Sequence, residues 1–220
     1  MEVPVSAFSF WLLTSDFFLM EPFPKITSRM VPLPMDNVDT DIIVPARFLK
    51  VTDKAGMDQY LFRDWRFDSG GKPLPDFILN QPRAKGAQIL LAGKNFGSGS
   101  SREHAPWALL AFGFRAIIST SFADIFSGNS LKNSLLPVVV PSDTHAELFR
   151  LVERDPNVAV TIDLASQTLT LPGGRTENFP IDNFSKQCLL AGVDQLGYIL
   201  KQEPHIRAYE ASHPPAVLTK

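Results

Sequence analysis

The chain has 220 residues, 45% of them hydrophobic, and a formal net charge of −2. That length suits one domain with a substantial core, and the balanced charge excludes the basic excess that a nucleic-acid partner would require. Cys188 is the only cysteine, which rules out a disulfide within the chain and iron–sulfur ligation by this chain, and points to a reducing, cytoplasmic setting. The four histidines, at 104, 145, 205 and 213, show no metal-ligand spacing.

Residues 3–20 are rich in Phe, Trp and Leu but are interrupted by Asp16, and the stretch is too short to span a bilayer. Glu2 is the only early charge, so the basic start of a secretory signal is missing. Residues 1–24 are therefore read as an N-terminal extension, either a disordered tail or the product of an upstream start site, and no membrane partner is expected.

Past the extension, strands and helices alternate. Residues 25–33 read as a first strand, 36–41 as an Asp-rich loop, and 48–62 as a mixed helical or loop region. Gly, Pro and polar residues at 70–75 and 80–85 mark surface connections. A buried strand is predicted at 87–92, a helix at 101–113, a short strand at 116–119, a helix at 121–133 and a buried strand at 137–140. An amphipathic helix follows at 143–154. Residues 158–163 and 168–171 alternate as a β-hairpin, although Ser166-Gln167 is a poor tight-turn pair. Helices at 184–191 and 205–212 close the chain. There is no internal repeat. This order implies an α/β domain with both parallel and antiparallel strands.

The most informative stretch joins the strand at 87–92 to the helix at 101–113. Gly97 and Gly99 let the backbone turn tightly and approach a ligand. Ser100 or Ser101 can cap the helix, and Glu103 stands at capping-box spacing from Ser100. The N–H groups of the first helical turn form an anion site, to which Arg102 adds a planar fork fitted to a carboxylate. A P-loop is excluded because no Lys follows the glycines. A dinucleotide fingerprint is excluded because its third glycine is replaced by Arg102. A capped helix with no ligand is the plainer alternative.

The run Gly-Ser-Gly-Ser-Ser-Arg-Glu-His-Ala at 97–105 resembles the signature loop of the swivelling domain in the aconitase superfamily. Extended from Asn95 to Leu109, it resembles the small subunits of 3-isopropylmalate dehydratases. Other motifs agree: Asp-Asn-Val-Asp-Thr-Asp-Ile-Ile-Val-Pro at 36–45 with Phe48-Leu49, and Ser-Phe-Ala-Asp-Ile-Phe at 121–126. Gly128-Asn129-Ser130 and Leu135-Leu136-Pro137 follow in family order, as do Ile181-Asp182, Phe184, Gly192, Asp194 and Gly197.

The resemblance implies a three-layer swivelling β/β/α domain over 25–211, with 212–220 as a tail. It implies the small subunit of a heteromeric iron–sulfur hydro-lyase that interconverts 2-isopropylmalate and 3-isopropylmalate in leucine biosynthesis. Its partners would be a hydroxy diacid substrate and a large subunit carrying a 4Fe–4S cluster. Ser100 matches the catalytic serine, whose alkoxide becomes plausible only where helix N–H groups and Arg102 stabilise negative charge. Arg102, Ser101 and Lys54 are the implied substrate-binding residues. Glu103 and His104 are assigned to loop support. Asp39 and Asp41 are read as turn-forming carboxylates that shape the pocket's edge with Gly97 and Gly99.

The chain departs from the family pattern at Lys54-Ala55-Gly56, where members commonly show Arg-Thr-Gly. A lysine does not reproduce arginine's fork, which leaves a related methylated malate open as the substrate. Ser98, where relatives can carry Cys, is read as neutral. A non-catalytic anion-binding module is the alternative from a different class.

Overall fold

The computed structural model describes residues 21–50, 53–99 and 102–213; Ser100 and Ser101 lie outside these ranges. Seven strands, β1 (Ile26–Leu33), β2 (Ile89–Ala92), β3 (Ala116–Ser119), β4 (Leu136–Val139), β5 (Ala159–Asp163), β6 (Thr168–Thr170) and β7 (Thr176–Asn178), form one sheet. Its order is β4-β3-β2-β1-β5-β6-β7. The helices are α1 (Thr40–Ile43), α2 (Arg63–Arg66), α3 (His104–Phe112), α4 (Asp124–Lys132), α5 (Ser142–Arg154), α6 (Asn183–Ala191), α7 (Gln195–Lys201) and α8 (Glu203–Ser212).

β1 joins the two kinds of sheet. Its first half, Ile26 to Arg29, pairs antiparallel with β5, and its second half, Met30 to Leu33, pairs parallel with β2. The Leu33 carbonyl accepts from Gly93 at 3.0 Å, so alternation turns the nitrogen of Pro32 away from β2. On that side β1 has already left β5, and a missing donor costs no ladder bond. Pro137 is tolerated for a similar reason, because β4 is the outer strand of the parallel half.

The parallel strands are apolar on both faces. Leu90, Ala92, Val31 and Leu33 share one core with Ala105, Ala108 and Leu109 of α3. Ile89, Leu91, Met30 and Val138 share the other with Leu148 and Val152 of α5 and with Ile162 and Leu169 of the antiparallel strands. Burial on both sides explains why β2 and β3 read as continuous apolar runs rather than alternating ones. The result is the three-layer mixed β/β/α architecture that the sequence implied.

Two helix starts differ from the sequence reading. α3 begins at His104 rather than at 101, with Glu103 in the N-cap position and no side-chain cap bond. The capping roles expected of Ser100 and Ser101 fall outside the described residues, and Glu103 and His104 do not lie inside a helix begun earlier. Pro106 gives the reason. A helix started at 101 would place the proline in its interior, where its ring clashes with the carbonyl four residues back. Started at His104, the helix holds Pro106 in its first turn, where the missing N–H is harmless. α4 likewise begins at Asp124 because residues 121–123 are used elsewhere: the Ala123 N–H donates to the Phe96 carbonyl at 3.1 Å.

β7 and α7 were not anticipated. Thr-Glu-Asn is too polar to look like a strand, and its order comes from backbone pairing with β6. Gly197 looks like a breaker within α7, but Asp194 caps that helix by accepting from the Gly197 N–H at 2.7 Å. At the other end of the domain, Phe23, which the sequence reading placed in the extension, is packed. Phe23 is 3% exposed, and its N–H donates to the Leu189 carbonyl at 2.9 Å.

Candidate functional site

Loops leaving the carboxyl ends of β1, β2 and β3 lock together, at the edge where open α/β sheets place their ligands. The middle loop, 93–99, is held from both sides. From the first loop, Val38 accepts from Gly97 at 2.8 Å and from Ser98 at 3.2 Å, and Thr40 donates back to the Ser98 carbonyl at 2.7 Å. The Asp36 carboxylate accepts from the Lys94 N–H at 2.7 Å. Asn37 and Asn95, both at left-handed φ, join side chain to side chain at 2.8 Å. From the third loop, the Ser121 hydroxyl accepts from the Asn95 N–H at 3.0 Å, and Phe96 and Phe122 form a parallel bridge.

The glycines are demanded by this close fit. Gly97 has φ of 79°, and a Cβ there would lie within the Phe126 ring. Gly99 has φ of 96°, and a Cβ would stand 2.5 Å from an Asp39 carboxylate oxygen. Asp39 itself caps α1, accepting from the Asp41 N–H at 2.7 Å. These two glycines and Asp39 therefore form one packed unit.

Arg102 lies just before α3, and its guanidinium is paired with the Asp41 carboxylate. The two ends of that pair differ: the Arg102 side chain is 20% exposed and that of Asp41 is 52% exposed. One nitrogen of the guanidinium thus already meets a carboxylate, on a side chain reachable from solvent. Ion pairs open to solvent contribute only about 0–1 kcal/mol, and the Asp41 end of this one is open. The start of α3 stands behind the arginine and favours negative charge in the same place.

Ser100 and Ser101, the expected base and its neighbour, fall outside the described residues, between Gly99 and Arg102. Their flanking residues both belong to the locked edge. Lys54 stands apart from this set. Its ammonium donates to the Asn133 side chain at 3.1 Å and lies 5.1 Å from the centre of the Trp107 ring. His104 stacks obliquely on Trp107.

Among the described residues, no three His, Cys, Asp or Glu side chains come together as a metal site. Cys188 is buried, and burial, reinforced by Asp182 and Asp194, pushes its thiol above the ordinary range. Among the described residues, no helix is long and apolar enough to cross a membrane.

Sequence reasoning quoted Asp36, Asn37, Asn95, Ser121 and Phe126 only as motif letters. The structure makes them the clamps that fix the glycine loop. Their signal was available in the chain: two of the motifs consist largely of residues that hold the third.

Residues 20–143 match the family described as the aconitase C-terminal domain, and residues 146–183 match one described as LeuD_N. The first span carries β1 to β4 and the second β5 to β7. A 3-isopropylmalate dehydratase small subunit from Roseiflexus sp. (strain RS-1) is 60% identical over 200 residues, covering 91% of this chain and 98% of that protein. One from Solibacter usitatus (strain Ellin6076) is 61% identical over 198 residues, covering 90% and 98%. A solved structure of 3-isopropylmalate dehydratase from Methanocaldococcus jannaschii aligns with a TM-score of 0.60 at 28% identity, covering 84% of this chain and 99% of that one.

Proposed function

The chain belongs to the family of 3-isopropylmalate dehydratase small subunits, and on that premise we propose that its signature loop supplies the base and the carboxylate clamp of the reaction. The chain is the small subunit of a hydro-lyase of leucine biosynthesis, which interconverts 2-isopropylmalate and 3-isopropylmalate by dehydration and rehydration with a large subunit.

Moving a hydroxyl between neighbouring carbons requires removal of an unactivated proton beside a carboxylate, and loss of hydroxide. The chain's own donors do not fit an iron–sulfur cluster, since its single cysteine cannot supply the several thiolates a cluster needs. The 4Fe–4S cluster is therefore assigned to the large subunit. Ser100 is assigned the proton. Its hydroxyl is a feeble base in water, and the start of α3 together with Arg102 lowers the cost of the alkoxide. Arg102 takes a substrate carboxylate in the place that Asp41 occupies here, and Ser101 donates beside it. Gly97, Gly99, Asp39 and Asp41 shape this edge, and the swivelling domain from 25 to 211 carries it. The protein is assigned to the cytoplasm.

One observation carries this reading: a glycine loop held by backbone bonds from two neighbouring loops and Arg102, whose guanidinium already pairs with a carboxylate, flank Ser100 and Ser101 in sequence. A second reading, that the substrate is a related methylated malate, is favoured by Lys54-Ala55-Gly56 in the segment implied to read the substrate. Anaerobic reconstitution with the large subunit, assayed against a panel of hydroxy diacids, tests both. Isopropylmalate is expected to be the preferred substrate. The chain alone is expected to be colourless and inactive; turnover by it without iron or partner would refute the assignment.

A further inference from the structure

We propose that Asn133 positions Lys54, and through it helps set how the enzyme holds its diacid. The inference rests on the reading that Lys54 meets the substrate, and it adds the residue that places this lysine.

A lysine is a point charge on a flexible four-carbon stem, and it discriminates little unless something holds it. Lys54 is exposed, and among the described residues no carboxylate pairs with it. Its ammonium instead donates to the Asn133 Oδ1 at 3.1 Å and lies 5.1 Å from the centre of the Trp107 ring. Both partners are neutral, so the positive charge is held in place without being cancelled. A substrate carboxylate requires both conditions.

Asn133 is itself fixed. It stands in the C-cap position of α4, and its Nδ2 donates to the Asn129 carbonyl at 2.9 Å. Its Oδ1 accepts from the Trp107 Nε1 at 2.8 Å as well as from Lys54. A carbonyl only accepts, whereas an indole N–H and an ammonium only donate, so a single orientation of the amide satisfies all three contacts. Asn133 therefore presents its oxygen to Lys54.

The two helices that meet at this amide both start at the edge that carries the signature loop. α4 packs Phe126 against Gly97 at its start and ends at Asn133. α3 starts two residues after Arg102 and carries Trp107. One amide oxygen thus refers the recognition segment to both helices. The family motifs pass over Asn133, which stands between Ser130 and Leu135.

The test is a double-mutant cycle in the complex reconstituted with the large subunit, assayed with isopropylmalate. Asn133→Ala and Lys54→Met should each raise KM about fivefold, with kcat altered less, since a hydrogen bond to an exposed charge is lost in the first and the charge itself in the second. The double variant should be no worse than Lys54→Met alone, because nothing is then left for Asn133 to position. Asn133→Asp should also raise KM, because a carboxylate beside the ammonium cancels its charge, and that rise should vanish in the Lys54→Met background. In the full chain alone, Asn133→Ala should shift the NMR signal of the Trp107 indole N–H. Effects that multiply in the double variant would overturn the proposal. So would an unchanged KM in both Asn133 variants, a rise with Asn133→Asp that persists without Lys54, or an indole signal that does not move. An unchanged KM in Lys54→Met would instead refute the reading of Lys54, and this inference with it.

Discussion

The glycine loop at 93–99 and the segment around Lys54 are both implied to meet the substrate, yet they are built in opposite ways. The first is held through its backbone by two other loops, with Asp36, Asn37 and Ser121 adding side-chain bonds. The second mostly bonds to itself: Ala55 donates to the Asp53 carboxylate at 2.9 Å, and Met57 donates to the Lys54 carbonyl at 3.4 Å. Its outward contacts include one flexible amine, on Asn133 and Trp107. A backbone fixed from both sides suits the proposed base and arginine, whose geometry would have to persist in every turnover. A segment held by side chains can change its residues without disturbing the sheet edge. The departure from the family pattern falls in the second region.

The largest expected effect comes from Ser100, which follows the fixed loop in sequence. In the reconstituted complex, Ser100→Ala should lower kcat by about 10²–10⁴-fold, the usual range for a positioned base. Size-exclusion chromatography should show the complex still assembled. Normal turnover would return Ser100 to a structural role and send the search for the base to the large subunit. Next comes Gly97→Ala, which combines a left-handed backbone with a Cβ inside the Phe126 ring. Urea unfolding should show a loss of about 3 kcal/mol. Gly86 has nearly the same φ, 78°, with nothing within 4 Å of a Cβ. Gly86→Ala should therefore cost only the backbone term, about 1 kcal/mol. Equal losses at the two sites would show that the close fit around Gly97 is not what makes glycine necessary.

Smaller effects belong to binding. Arg102→Lys should raise KM about tenfold with kcat changed less, because a point charge replaces a planar fork. Asp41→Asn removes the resident carboxylate from Arg102 and should lower KM by no more than about fivefold, given the weakness of exposed pairs. A rise in KM would show that Asp41 positions the arginine rather than competing for it. Lys54→Arg is the mildest change. It should alter the ranking of hydroxy diacids in a kinetic panel while leaving stability within about 0.5 kcal/mol. A drop in stability comparable to that of Gly97→Ala would erase the contrast between the two regions.

Much of this arrangement was legible in the chain. The apolar runs at Ile89–Ala92 and Ala116–Ser119 marked strands, and Asp182 and Asp194, which looked like motif letters, each cap the start of a helix. The start of α3 was misjudged because serine's capping preference was weighed ahead of Pro106, whose steric demand is the stronger of the two. β7 left no mark because its order comes from a neighbour's backbone, not from its own side chains. The clamps at Asn37, Asn95 and Ser121 could be quoted but not understood, since their meaning lies in contacts between segments far apart in sequence.

The divided pairing of β1 sets an order of assembly during synthesis. The site loops and the strands that support them are all complete once Val139 has been made. Ile26 to Arg29, however, wait for Ala159 to Ile162, which arrive only after α5. As the chain leaves the ribosome, the catalytic edge can close first, while the start of β1 remains an open strand edge able to pair with another nascent chain. The antiparallel strands, remote from the chemistry, are what end that exposure.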